Sequence, residues 1–178
     1  MKTKIRVKAK PAAKAKLPAK AKTKARPHAK PRPEGMQPLS PHLVCSGAAN
    51  AIAFYKKAFG ATEMMRLPGK DGRLMHAAVQ INGASLMLVD EFPEMGNKAP
   101  STLKGTPVTL HLLVDDVDAV TKRAVKAGAK VIMPVADMFW GDRYGVIEDP
   151  FGHRWSIATH VRDMTVKEIK TAMKSMPM

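Results

Sequence analysis

Two stretches of this chain, PHLVCSGAANAIAFYKKAFGA from Pro41 and LHLLVDDVDAVTKRAVKAGA from Leu110, superpose at an offset of 69 residues, falling to 68 after a one-residue gap. A repeat of this length marks a duplicated supersecondary unit, so whatever one copy folds into, the other must fold into as well. His42 and His111 occupy the same place in the two copies.

Each copy reads as a strand, a helix and three further strands. In the first, Ser40–Ser46 alternates, with Pro41, Leu43 and Cys45 on one side and Ser40, His42 and Val44 on the other. Ser46 is a predicted cap and Gly60 a predicted stop for a helix over Ala48–Phe59, whose buried stripe is Ala48, Ile52, Tyr55 and Phe59. Strands follow at Ala61–Leu67, Leu74–Ile81 and Ala84–Glu91, joined through Asp71-Gly72 and Asn82-Gly83, the dipeptides that tight hairpin turns require. Phe92–Pro107, rich in Pro and Gly, is a linker. The second copy runs as a strand over Val108–Val114, a helix over Val117–Ala127 capped by Asp116 and stopped by Gly128, then strands at Lys130–Met138, Asp142–Glu148 and His153–His160. Asp149-Pro150-Phe151-Gly152 is the turn before the last strand: Asp suits its first position, Pro presets φ at its second and Gly closes it. Thr165 and Glu168 form a capping box for a terminal helix within Met164–Ser175. The predicted fold class is α+β, two tandem βαβββ modules (38–92 and 107–161) whose curved mixed sheets surround a cavity.

Charge is unevenly placed. Thirteen Lys and Arg lie in Met1–Gly35 against one acid, Glu34, whereas the rest of the chain is nearly balanced. A segment alternating Lys with Ala and Pro cannot bury enough surface to offset its ordering entropy, so 1–37 is predicted to be a disordered tail. Its cations, beginning with Lys2, Lys4, Arg6, Lys8 and Lys10, suit attachment to nucleic acid or another polyanion; a merely solubilising extension is the alternative. Cys45 is the one cysteine, which excludes an internal disulfide and points to a reducing, cytoplasmic setting. No apolar run reaches the length of a membrane span.

The duplicated unit, the AIAFYKKAFGA helix and the IEDPFGHRW turn resemble the vicinal oxygen chelate superfamily of glyoxalases, bleomycin-resistance proteins and extradiol dioxygenases. The stretch MFWGDRYGVIEDPFGHRWSIATH is similar, more narrowly, to its PhnB-like branch. In metal-dependent members, the resemblance implies one ligand from the first and last strand of each module, and those positions here are Ser40, Met87, Thr109 and Ser156. None is an imidazole or a carboxylate, and hydroxyls with a thioether hold Zn, Fe, Mn or Ni poorly.

A small organic ligand is therefore the expected partner, bound without a cofactor by a predicted pocket set of His42, His76, Gln80, Met87, Thr109, His111, Trp140, Arg143, Tyr144 and Ser156. An indole beside a guanidinium can clamp a planar or anionic group, though Trp140 could equally cover a sheet edge and Arg143 pair with Glu148 or Asp149. The alternative is a metal-dependent lyase, isomerase or dioxygenase with one divalent ion on displaced ligands His42, His76 and His111. Trp155 is predicted to be core, and His153 and His160 to be turn and surface residues. Asp90 and Glu91 read as a solvated strand exit, and Cys45 as a buried, unreactive thiol. The resemblance also implies a homodimer.

Overall fold

The computed structural model describes residues 33–175, so the polyanion-binding expectation for Lys2, Lys4, Arg6, Lys8 and Lys10 lies outside the described residues. Two βαβββ modules are present. The first comprises β1 (His42–Cys45), α1 (Ala48–Phe59), β2 (Thr62–Pro68), β3 (Leu74–Ile81) and β4 (Ala84–Asp90). The second comprises β5 (Thr109–Leu113), α3 (Val117–Lys126), β6 (Lys130–Asp137), β7 (Asp142–Glu148) and β8 (Arg154–His160). Between them the linker winds through a 3-10 turn and the short α2 (Pro100–Leu103), and α4 (Val166–Lys174) follows the second module.

Each module forms an unclosed mixed sheet of four strands, ordered β1-β4-β3-β2 and β5-β8-β7-β6. The first strand of each lies parallel to the fourth, with His42 opposite Met87 and His111 opposite Ser156, because the helix must carry the chain over the sheet before the meander returns. One face of each sheet packs on helices and the other is left open. Helices α1 and α3 touch, which joins the two modules.

The core explains a difference from the predicted stripe. Helix α1 buries Ala51, Phe54 and Ala58 in addition to Ala48, Ile52 and Tyr55, while Phe59 is only partly buried. A helix wedged between its own sheet and a second module cannot keep a solvated face as wide as a surface helix does. Tyr55 stacks on Phe59, and both rings meet Trp155 of β8, with centroids 5.4 Å and 4.7 Å away. Trp155 is thus core, as its alternation predicts.

Buried carboxylates organise this junction. Asp149 Oδ2 accepts from Tyr55 Oη at 2.7 Å and from Trp155 Nε1 at 3.0 Å. Its Oδ1 accepts from the amides of Phe151 and His153, both at 2.9 Å, closing the predicted turn from within. Burial, then the nearby Asp149 charge, pushes the Tyr55 phenol well above its usual pKa.

Three predicted roles are corrected. Ser46 does not cap α1: the N-cap is Gly47, in the left-handed region, with no side-chain cap of its own. The amides of Gly47 and Ala48 instead donate to Asp90 Oδ1, and that of Leu74 to Asp90 Oδ2. Asp90 is accordingly buried, not a solvated exit, and its charge faces the positive end of the helix. In the second module Thr159, at the repeat-equivalent position, does the same service, accepting from the Val117 amide at 2.9 Å. Asp116 adds the side-chain cap predicted for it, accepting from Ala119 N. Glu91 ties the linker down by accepting from Ala99 N and Thr102 Oγ1.

His153 is the third correction. It is buried, and its Nε2 is hydrogen-bonded to Val44 O at 3.2 Å and lies 3.8 Å from Cys45 Sγ, across the module boundary. Cys45 is buried as predicted, and burial, with Asp149 and Asp90 nearby, pushes its thiol pKa up, which keeps it protonated.

Candidate functional site

The edges β1 and β5 approach each other along a seam, pinned at one end by Asn82 Nδ2 donating to Leu113 O and at the other by His153 against Val44. A cavity of about 440 Å³ opens along it, lined by Leu39, Pro41, Ser85, Leu86, Val108, Thr109, Leu110, His111 and Trp155 among others. This is within the ordinary size of a small-molecule site, and its lining is mostly apolar with a few polar atoms. Leu39 and Val108, Pro41 and Leu110 are repeat-equivalent pairs, so the same two positions of each module furnish the walls. Leu39 is 85% exposed and Val108 60%, so neither is sequestered in the core.

From His111 a row of aromatic rings runs over the open face of the second sheet. Tyr144 lies next to His111, the rings nearly parallel with centroids 6.3 Å apart. Trp140 meets Tyr144 edge-on at 5.6 Å, and Phe139 meets Trp140 at 5.0 Å. The rings are held from behind. His111 Nδ1 is hydrogen-bonded to the buried Ser156 Oγ at 2.8 Å, which leaves Nε2 as the ring's other polar atom. Trp140 Nε1 donates to Asp142 Oδ2 at 2.9 Å. His160 bridges Asp142 and Asp163, and these two carboxylates, Asp163 foremost, raise its pKa.

The ten residues predicted for the pocket divide into separate groups. His111, Thr109, Trp140, Tyr144 and Ser156 gather on the open face of the second sheet or at the seam. His42, His76, Gln80 and Met87 belong to the open face of the first sheet, where the His42 and His76 rings meet edge-on at 5.8 Å. Burial, and then the neighbouring His76, lowers the His42 pKa, which favours the neutral form of His42. Arg143 does not join them. It points to the helical face, where Nε and Nη2 grip Asp118 of α3 and Nη1 reaches Asp137 at 3.0 Å. Neither Glu148 nor Asp149 is its partner. Alternation along β7 puts neighbours Arg143 and Tyr144 on opposite faces.

The metal-holding positions implied by the family resemblance carry weak donors. Ser40 is hydrogen-bonded to Ser85 and Ser156 to His111; Met87 offers a thioether and Thr109 a neutral hydroxyl. This donor set does not fit a divalent ion of the kind those relatives bind. His42 and His76 are neighbours but His111 belongs to the other sheet, and among the described residues no three His, Cys, Asp or Glu side chains gather as a metal-binding group. Also among the described residues, no helix is long and apolar enough to cross a membrane.

The seam residues Leu39, Pro41 and Val108 were absent from the predicted set. The signal that could have found them was the repeat itself, which pairs apolar residues just before the first strand of each copy.

Comparison with known proteins agrees with this architecture. The family model described as Glyoxalase/Bleomycin resistance protein/Dioxygenase superfamily matches residues 38–157. The uncharacterized protein Rv0887c of Mycobacterium tuberculosis is 56% identical over 140 residues, covering 77% of this chain and 82% of that protein. YjdN of Escherichia coli is 27% identical over 143 residues, covering 67% and 93%. Among solved structures, the Arabidopsis thaliana At5g48480 product superposes with a TM-score of 0.57 at 26% identity, covering 69% of this chain and 98% of that one. A PhnB protein from Bacillus cereus superposes with a TM-score of 0.54 at 19% identity, covering 69% and 99%, a likeness of fold.

Proposed function

The chain belongs to the glyoxalase/bleomycin resistance protein/dioxygenase superfamily, and from that footing we propose that it is a small-molecule binding protein working without the superfamily's metal ion. One observation carries this reading: a mostly apolar seam cavity of about 440 Å³ shares His111 with a row of three aromatic rings, Tyr144, Trp140 and Phe139. Rings fixed from behind by Ser156 and Asp142 offer stacking surface at little ordering cost, which suits a planar organic ligand. Capture of such a ligand requires shape and a polar atom or two to orient it, and His111 Nε2 supplies one. No acid, base or metal needs to take part.

We further propose a homodimer. Met65 and Leu67 on the open face of the first sheet, and Leu113 and Met133 on that of the second, are 38–56% exposed, an apolar surface that a second copy would cover. The single buried thiol of Cys45 supports a cytoplasmic location.

The ligand reading is tested by thermal shift with a panel of planar aromatic amides and acids, with and without added Zn²⁺ or Mn²⁺. A ligand at about 100 times its Kd stabilises by roughly 2.7 kcal/mol, a clear rise in Tm. That rise should be independent of metal and should shrink in Trp140→Ala and His111→Ala. A ligand response that appears only with metal, or one indifferent to both substitutions, would overturn the reading.

A further inference from the structure

Beyond the seam, a separate cleft of about 530 Å³ lies between α2 and the β7–β8 turn, and it shares no lining residue with the seam cavity. Lys104, Lys130 and Arg154 line it, with Glu148 as the one carboxylate on its wall whose oxygens are not already committed to internal hydrogen bonds. Register sets three of these side by side: Arg154 opposite Glu148 on β7, and Glu148 opposite Lys130 on β6. Elsewhere on the surface carboxylates have gathered their cations, as Glu63 does with Lys56 and Arg66, and Asp118 with Arg143. Here, among the described residues, none of the three cations lies within ion-pair distance of a carboxylate. Three cations against one carboxylate leave this concavity with a net positive charge, which concentrates anions.

Lys104 adds an independent observation. Among the described residues only it and Asn82 take positive φ without being glycine, at 59° and 49°. Asn tolerates that region; Lys pays a steric penalty there that glycine escapes. Lys104 closes α2 in this conformation, with its amide donating to Pro100 O, and its side chain lines the cleft. A position that favours glycine on backbone grounds holds a cation instead. Hydroxyls of Ser101 and Thr106 are also at the wall and can donate to an oxyanion.

We propose that this cleft is an anion site for phosphate or carboxylate groups, gripped by Lys104, Lys130 and Arg154. The anion could be a free polyphosphate or the acidic end of a longer ligand. Tyr144 pairs with Ala158, four residues along β8 from Arg154, or about 13 Å of strand. A ligand of that span can set its charge in the cleft and a planar end on the row of rings, an extension that rests on the reading above, whereas the anion site itself does not.

The test is an amide-resolved NMR titration of the full chain with inorganic triphosphate and with ATP, of like charge with and without a planar base. The amides of Gly128 and Gly152, both at the cleft wall, should shift saturably with triphosphate. Arg154→Gln should weaken this binding about fivefold, one charge-assisted contact. Lys104→Gly should weaken it comparably while raising Tm by about 2–4 °C, because the backbone strain is relieved. ATP binding tighter than triphosphate, with the gain lost in Tyr144→Ala, assigns the acidic end of a longer ligand; equal affinities assign a free anion. Shifts confined to the N-terminal tail, or an affinity unmoved by both Arg154→Gln and Lys104→Gly, would overturn the anion site whatever becomes of the row of rings.

Discussion

Replacing Asp149 by Asn swaps one oxygen for an NH2 group and changes almost no volume, so its cost isolates hydrogen-bond polarity at the module junction. The carboxylate is 3% exposed and accepts four bonds, from Tyr55 Oη, Trp155 Nε1 and two backbone amides. In Asp149→Asn the amide oxygen can keep the two backbone donors, and the Tyr55 hydroxyl can turn to accept from the new NH2. Trp155 Nε1 has no such option and becomes a buried donor without an acceptor. One such group costs about 1–3 kcal/mol. Asp149→Ala strands all four donors, and although it also removes a buried charge, the net loss should reach about 4–6 kcal/mol, near the whole stability of an ordinary domain. Tyr55→Phe removes a donor with its acceptor still occupied by Trp155 and should cost about 1 kcal/mol. Urea unfolding of the full chain followed by tryptophan fluorescence measures each, and the Tyr55→Phe/Asp149→Asn cycle measures their coupling. Asp149→Asn costing under about 0.5 kcal/mol, or as much as Asp149→Ala, would show that the turn carboxylate does not join the modules in the way described.

Three further outcomes follow from the structure. His153 is neutral in the fold, its pKa lowered by burial, against about 6.5 unfolded. Its contribution is therefore present above about pH 6.5 and lost as pH falls through the folded value, with a slope of up to about 1.4 kcal/mol per pH unit. The urea midpoint should fall on acidification, and His153→Gln should flatten that fall; an unchanged slope would exclude His153 as its source. His160, with its pKa raised by Asp163 and Asp142, acts with the opposite sign, stabilising below about pH 6.5 and fading above. For the dimer, sedimentation velocity should give twice the chain mass, and Met65→Glu with Met133→Glu should give monomer, since charges would then face an apolar interface. A monomeric parent chain would refute the dimer.

Signals that act within a few residues were legible in the chain. The repeat fixed two βαβββ units, Asn82-Gly83 fixed the two-residue turn between β3 and β4, and Thr165 with Glu168 fixed the capping box that the structure contains, whereas Asp71-Gly72 falls in a longer loop over 69–73. Alternation placed His111 and Ser156 on the face away from the helices and Trp155 beneath them. It also carried enough information to part Arg143 from Tyr144 once β7 was accepted as a strand. Period-two order says which side of its own sheet a residue takes, but not what lies across from that sheet.

That second question was settled only by the packing of one module on another. Asp90 has the composition of a solvated strand end, yet the unpaired amides of α1 come to it from 42 and 43 positions away. Asp149 satisfies a turn locally and the α1 phenol 94 positions away with the same carboxylate. His42 and His111, identical in the repeat, part company because each module keeps its open face to itself and the seam between β1 and β5 receives only one of the two rings in its larger cavity. Hydrogen bonds and cavities depend on distances between segments remote in sequence, and a local pattern does not encode those distances; burial of the shared helical core sets them.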